Sequence, residues 1–232
     1  MSFRSKVSAI AITAAACVAF APAAMASSGP VQVTGKQLKS ALLPASDFLA
    51  GYSAAAELDS GRKLEHGTLF KVPSMSCKNF WFLTGVVGGF GDTAFASDLI
   101  DTKSTSVTVF ETFSQTVYQF ASTHAAASFY SQLNAKYRSC RTVTVPDGSG
   151  GSLRRTLHSQ SKQRVGGHQA VQLVESLSFS KVPGLALVTY VLWTIDGTDI
   201  YMISTTPLSI PSPKPAQASL TLKLIARVSH LR

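Results

Sequence analysis

The sequence predicts an α+β domain: one antiparallel β-sheet with helices packed on it, closed by one disulfide. Three observations carry that prediction. Strand-like apolar runs occupy 170–179, 185–195 and 200–204, and Ala125, Ala126, Phe129, Leu133 and Tyr137 recur at helical spacing. Cys77 and Cys140 are the two cysteines that remain if the leading apolar segment is removed. A chain of 232 residues builds one good core and is short for two full-size domains. Its 45% hydrophobic and 14% charged residues exclude disorder. After residue 26 no apolar run approaches the roughly 20 residues that a bilayer-spanning helix needs.

Residues 1–26 have the form of a secretory signal. Arg4 and Lys6 give a positive start, Val7 to Phe20 is apolar, and Pro22 breaks the run. Ala24 and Ala26 then place small side chains at −3 and −1, which predicts cleavage before Ser27. The expected organisation is a signal peptide over 1–26, a short leader over 27–34 and a domain over 35–232. Cys17 leaves with the signal. An even pair of cysteines in an oxidising compartment reads as a disulfide, Cys77 to Cys140. A redox pair would use C-x-x-C spacing, which is absent.

Thr34 caps a helix that runs to Leu43 and stops at Pro44. Phe48 to Phe70, with Gly51, Gly61 and Gly67, reads as loop with one short strand at most. A helix over 77–87 follows Ser76 and ends at Gly88-Gly89-Phe90-Gly91. Thr105 to Phe120 is rich in β-branched and aromatic residues and reads as a strand. Ser122 caps the helix that delivers Cys140, and Pro146 to Gly151 is a turn. The three closing strands form a meander, with Asp196-Gly197 as a hairpin signal. Four prolines between Pro207 and Pro215 interrupt the sheet, and a helix follows from Ala216 to the basic end at Arg227, His230 and Arg232.

The chemistry-bearing residues are sparse. His66, His124, His158, His168 and His230 lack H-x-x-x-H or H-E-x-x-H spacing, which argues against a zinc hydrolase. Neither G-x-S-x-G nor S-x-x-K occurs, and only a dispersed triad stays open. Gly89-x-Gly91-x-x-Ala94 has the spelling of a dinucleotide loop but follows a predicted helix instead of a strand. Asp92, Asp98 and Asp101 read as solvated loop and strand-end residues, because a calcium loop needs more ligands at tighter spacing. Phe80, Trp81, Phe82, Phe90 and Phe95 read as core beside the disulfide, with a ligand-facing aromatic wall as the alternative. No catalytic residue, cofactor or metal is expected.

Arg138, Arg141, Arg154, Arg155, Lys162 and Arg164 crowd together with Asp147 as the sole acid among them. The formal charge is +9. Export removes nucleic acid as a partner and leaves phospholipid head groups and phosphate-bearing wall polymer. Arg138, Arg141, Arg154 and Arg155 are the candidates for binding such an anionic surface, against the plainer reading of solubilising charge.

Several stretches together resemble the extracellular sensor domain of mycobacterial transmembrane serine/threonine kinases, which also occurs in free-standing secreted or lipid-anchored actinobacterial proteins. They are Ala41-Leu42-Leu43-Pro44-Ala45-Ser46-Asp47-Phe48 before Gly51-Tyr52, then Cys77, then Val117-Tyr118-Gln119-Phe120-Ala121-Ser122. Ala125, Ala126, Phe129, Cys140 and the β meander continue the likeness, over roughly residues 35 to 230. The resemblance implies an α+β domain with a cleft for an unidentified extracellular ligand and no catalytic residues. The kinase-attached version carries two disulfides where this chain makes one, and signalling here would need a separate partner. The expectation is a secreted, non-catalytic ligand-binding or sensor-like domain of the actinobacterial envelope. The alternatives are an envelope protein held by its basic face, and a secreted hydrolase.

Overall fold

In a computed structural model of the chain, the described residues are 33–48, 52–56, 70–84, 88–102, 112–146, 150–206 and 217–232. The signal segment, the cleavage residues Ala24, Ala26 and Ser27, and the proline stretch lie outside them. Among the described residues, eight strands make one antiparallel sheet. They are β1 (Tyr52–Ala56), β2 (Asp92–Thr102), β3 (Thr112–Phe120), β4 (Thr142–Pro146), β5 (Ser152–Val165), β6 (His168–Phe179), β7 (Ala186–Asp196) and β8 (Asp199–Thr206). Four α-helices accompany them: α1 (Gly35–Ala41), α2 (Cys77–Leu83), α3 (Thr123–Ser139) and α4 (Gln217–Ser229).

The strand order is β1-β2-β3-β8-β7-β6-β5-β4. The chain builds the sheet from both edges. The first three strands run inward, α3 carries the chain to the far edge, and the remaining five meander back until β8 pairs with β3 (Val117 opposite Tyr201). Period-two alternation sends successive side chains to opposite faces. One face carries Phe95, Tyr118, Phe120, Leu173, Val191 and Trp193, which pack with α2 and α3. The other carries Ala96, Ile100, Val117, Tyr201 and Ile203, covered by α1 and α4.

Local chemistry explains the helix boundaries. Thr34 and Gln37 form a reciprocal capping box at the start of α1, and Leu42 ends it before Pro44. Ser76 caps α2 and Ser122 caps α3, each accepting from the backbone N–H three residues on. The helix predicted over 77–87 stops at Leu83, with Thr84 as its C-cap. Cys77 and Cys140 are bonded, with Cα atoms 5.3 Å apart across a separation of 63 residues. The bond ties the first residue of α2 to the residue just past α3.

One sequence reading is corrected and one strand is added. Asp92 and Asp101 stand at the two ends of β2, as strand-end residues, whereas Asp98 lies inside the strand and not in a loop. Asp92 is partly buried, where its Oδ1 accepts from the Gly89 and Phe90 N–H groups at 2.8 Å each. The basic run beyond the 146–151 turn is strand: β5, at 14 residues, is the longest in the sheet. The aromatic cluster resolves as core, with Phe80, Trp81, Phe90 and Phe95 buried. The Phe82 side chain lies outside the described residues.

Candidate functional site

β5 decides the site. From Leu153 to Leu157 it alternates like an ordinary inner strand, with Arg155 turned toward α2 and Leu157 into the core shared with α2 and α3. The register then shifts between Leu157 and Ser159. This bulge re-aims the strand. Beyond it Gln160, Lys162 and Arg164 lie opposite Leu173, Val171 and Gln169 and share their face. The bulge is anchored from outside: Leu157 N–H donates to the Arg141 carbonyl at 2.7 Å, and Arg141 Nη2 donates to the His158 carbonyl at 3.3 Å.

α3 covers the middle of this face but stands off from the far half of β5. The gap is an open groove of about 1070 Å³. Ala127, Tyr130, Ser131, Asn134 and Arg138 line it from the helix, and Gln160, Lys162, Gln163 and Arg164 from the strand, with Arg141 at one end. Leu157, Val171 and Ile195 also contribute apolar lining. Gln160 Nε2 crosses the groove to the Asn134 carbonyl at 3.1 Å and its Oδ1 at 3.2 Å. Among the described residues, no Asp or Glu lines it. Burial pushes the Tyr130 phenol up to about 12, so its proton stays on and points to the Trp193 carbonyl at 3.3 Å.

The four predicted surface bases do not share one surface. Arg138 and Arg141 are exposed at the groove. Arg154 is exposed, and alternation sends it to the face opposite Arg155. Arg155 is committed inward: it pairs directly with buried Glu175 and donates from Nη1 to the Trp81 carbonyl at 3.0 Å. Its guanidinium lies 4.4 Å from the Trp81 ring centroid, a cation–π contact. Trp81 Nε1 in turn donates to the Cys140 carbonyl at 2.8 Å, which joins the ion pair to the disulfide. Burial holds the Glu175 carboxyl above the usual range, with Arg155 pulling the other way. Sequence reasoning missed Lys162, Arg164 and Gln160 as groove residues because it lacked β5. The signal available was the i, i+2 spacing of Gln160, Lys162 and Arg164.

His158 Nε2 lies 2.7 Å from Ser176 Oγ. Among the described residues no carboxylate pairs with that imidazole, so the contact lacks the third member of a nucleophilic triad. No group of three or more His, Cys, Asp and Glu side chains suited to a metal occurs among the described residues.

Residues 33–177 match the family model of the PknH-like extracellular domain. The chain belongs to this family. The extracellular domain of PknH from Mycobacterium tuberculosis has the same fold, with a TM-score of 0.61 at 14% identity over 86% of this chain and 98% of that one. A protein of unknown function from Pseudomonas aeruginosa matches at 14% identity over 59% of this chain and 79% of that one, with a TM-score of 0.30. An uncharacterized protein from Mycobacterium smegmatis matches at 12% identity over 84% and 93%, with a TM-score of 0.34. No curated protein matches the chain.

Proposed function

We propose that this PknH-like extracellular domain is an exported, non-catalytic ligand-binding module of the cell envelope, and that the groove between α3 and β5 is its ligand site. The groove carries the reading: it is concave, half apolar and half amide- and base-lined, and it sits on a packed sheet that fixes its walls. The surrounding chemistry suits binding over turnover, since the Tyr130 proton is held and the His158–Ser176 contact stands without a carboxylate. In this reading the chain is cleaved before Ser27, after Ala24 and Ala26, and acts outside the cell.

Ser131 is exposed at the groove, so Ser131→Trp fills the space without touching the core. Small-molecule fractions of envelope extract should raise the thermal midpoint of the wild type and leave S131W unmoved. An equal shift in both proteins places the ligand elsewhere, and turnover of an esterase or peptidase panel replaces binding with catalysis.

A further inference from the structure

We propose that the groove takes an elongated polyol or glycan bearing repeated phosphodiesters. The proposal rests on the groove being the ligand site. Its four cations fall into two groups. Arg138 and Arg141 stand at the C-terminal end of α3, beside His158. Lys162 and Arg164 stand four and six residues further along β5, which at roughly 3.3 Å per residue puts them about 13–20 Å away. A single phosphate or carboxylate reaches one group only; a chain of phosphodiesters reaches both.

The cations have capacity to spare. Arg138 suits the C-terminus of α3, Arg141 gives one bond to the His158 carbonyl, and Arg164 gives one to the Gly167 carbonyl at 2.7 Å. Each guanidinium keeps further N–H donors in a fork that matches phosphate oxygens. Among the described residues none of the four pairs with a carboxylate. With no acid among the described lining residues, these side chains set a field of one sign, and a concave site concentrates it.

The stretch between the two groups asks for hydroxyls. Gln160, Asn134, Ser131 and Ser159 line it with amides and hydroxyls. Gln160 Oε1 is buried without a hydrogen-bond partner, an acceptor that a ligand hydroxyl would satisfy. Tyr130 and Val171 give the carbon skeleton of a polyol an apolar surface. Phosphate at each end and hydroxyls between is the chemistry of a phosphodiester-linked polyol, whether as free wall polymer or as the head of an anionic glycolipid.

Titration of the mature protein with a soluble glycerol-phosphate oligomer, and with phosphatidylinositol vesicles against phosphatidylcholine vesicles, tests this at low and at physiological salt. Binding of the oligomer supports the proposal; binding of the phosphatidylinositol vesicles alone, whose head group carries a single phosphodiester, replaces the repeated phosphodiester with one anionic head and overturns it. Arg138→Gln should weaken binding on the order of fivefold and K162Q/R164Q about 25-fold, at roughly 1 kcal/mol per base. All these bases are exposed, and unchanged thermal midpoints should show that the variants fold. Absence of binding to both probes at low salt, or charge variants that bind like wild type, overturns the proposal. If a neutral polyol binds the wild type and S131W loses it while the charge variants do not, the ligand class falls and the groove remains the site.

Discussion

The two faces of the sheet solve the same packing problem with different chemistry. Toward α2 and α3 the core is aromatic: Tyr118 packs against Phe90, Phe95 and Phe129, and Tyr137 against Phe80 and Trp81. The disulfide and the Arg155–Glu175 pair pin this layer at one end. Toward α1 and α4 the core is largely aliphatic and is stitched by buried amides. Gln115 both accepts from the Leu43 N–H and donates to its carbonyl, at 2.9 and 2.7 Å. Gln119 accepts from the Val33 N–H at 2.8 Å, and Gln217 donates to the Tyr190 and Ile203 carbonyls. Asp199 on this face pairs with Arg232, as Glu175 pairs with Arg155 on the other. The groove lies on the face with the covalent pin. The bond holds the start of the short α2 against the end of α3, and through Trp81 and Arg155 α2 holds β5. The lesson is one of division: one face supplies closure, the other a wall held still enough to leave a gap.

This contrast breaks most readily at the disulfide. Cys140→Ser should cost roughly 4 kcal/mol, from the entropy returned to an unfolded loop of this size. Denaturant titration measures it, and a loss under about 1 kcal/mol removes the covalent pin from the account. Next, Arg155→Ala strands the Glu175 carboxylate in the core and should cost about 3 kcal/mol. That is the lower end for a buried pair, because the Arg155 side chain is 29% exposed. On the opposite face, Gln115→Ala leaves the Leu43 N–H and carbonyl unpaired in the interior and should cost about 2 kcal/mol. Its effect on groove binding should be nil, whereas Arg155→Ala should weaken binding through β5.

The smallest effect is a pH slope. Burial raises the folded Glu175 carboxyl above its ordinary 4.5, so the folded state binds that proton more tightly than the unfolded state does. The stability from this proton is complete below the ordinary value and is lost as pH rises through the raised one. Wild type should therefore gain on Glu175→Gln as pH falls from neutral toward 4.5, and then level off. Paired denaturation curves across that window check the sign; a gain in the other direction means that Arg155 outweighs burial.

The elements legible in the sequence were those with clean periods or caps. Thr34 before Leu38 and Leu42, Ser122 with the Ala126–Phe129–Leu133 stripe, and the last three strands all carried their own signals. The cysteine pairing followed from export and parity. β5 was hidden because both of its sides beyond the bulge are polar: Lys162 and Arg164 face a groove where a core strand would show Leu or Val. The feature that made it unreadable as a strand is the feature that makes it a site. β2 was hidden by Asp92 and Asp98, whose carboxyls read as loop until Asp92 is seen accepting backbone N–H groups at the strand start. The inward turn of Arg155 was beyond reach for a related reason, since it depends on β5, β6 and α2 meeting.

Hydrogen exchange of the mature protein with and without the glycerol-phosphate oligomer tests the central claim most directly. Slowed exchange should concentrate in β5 from His158 to Arg164 and in the groove-facing part of α3, with α1 and α4 unchanged. Protection spread over the α1–α4 face, or none at saturating oligomer, contradicts it.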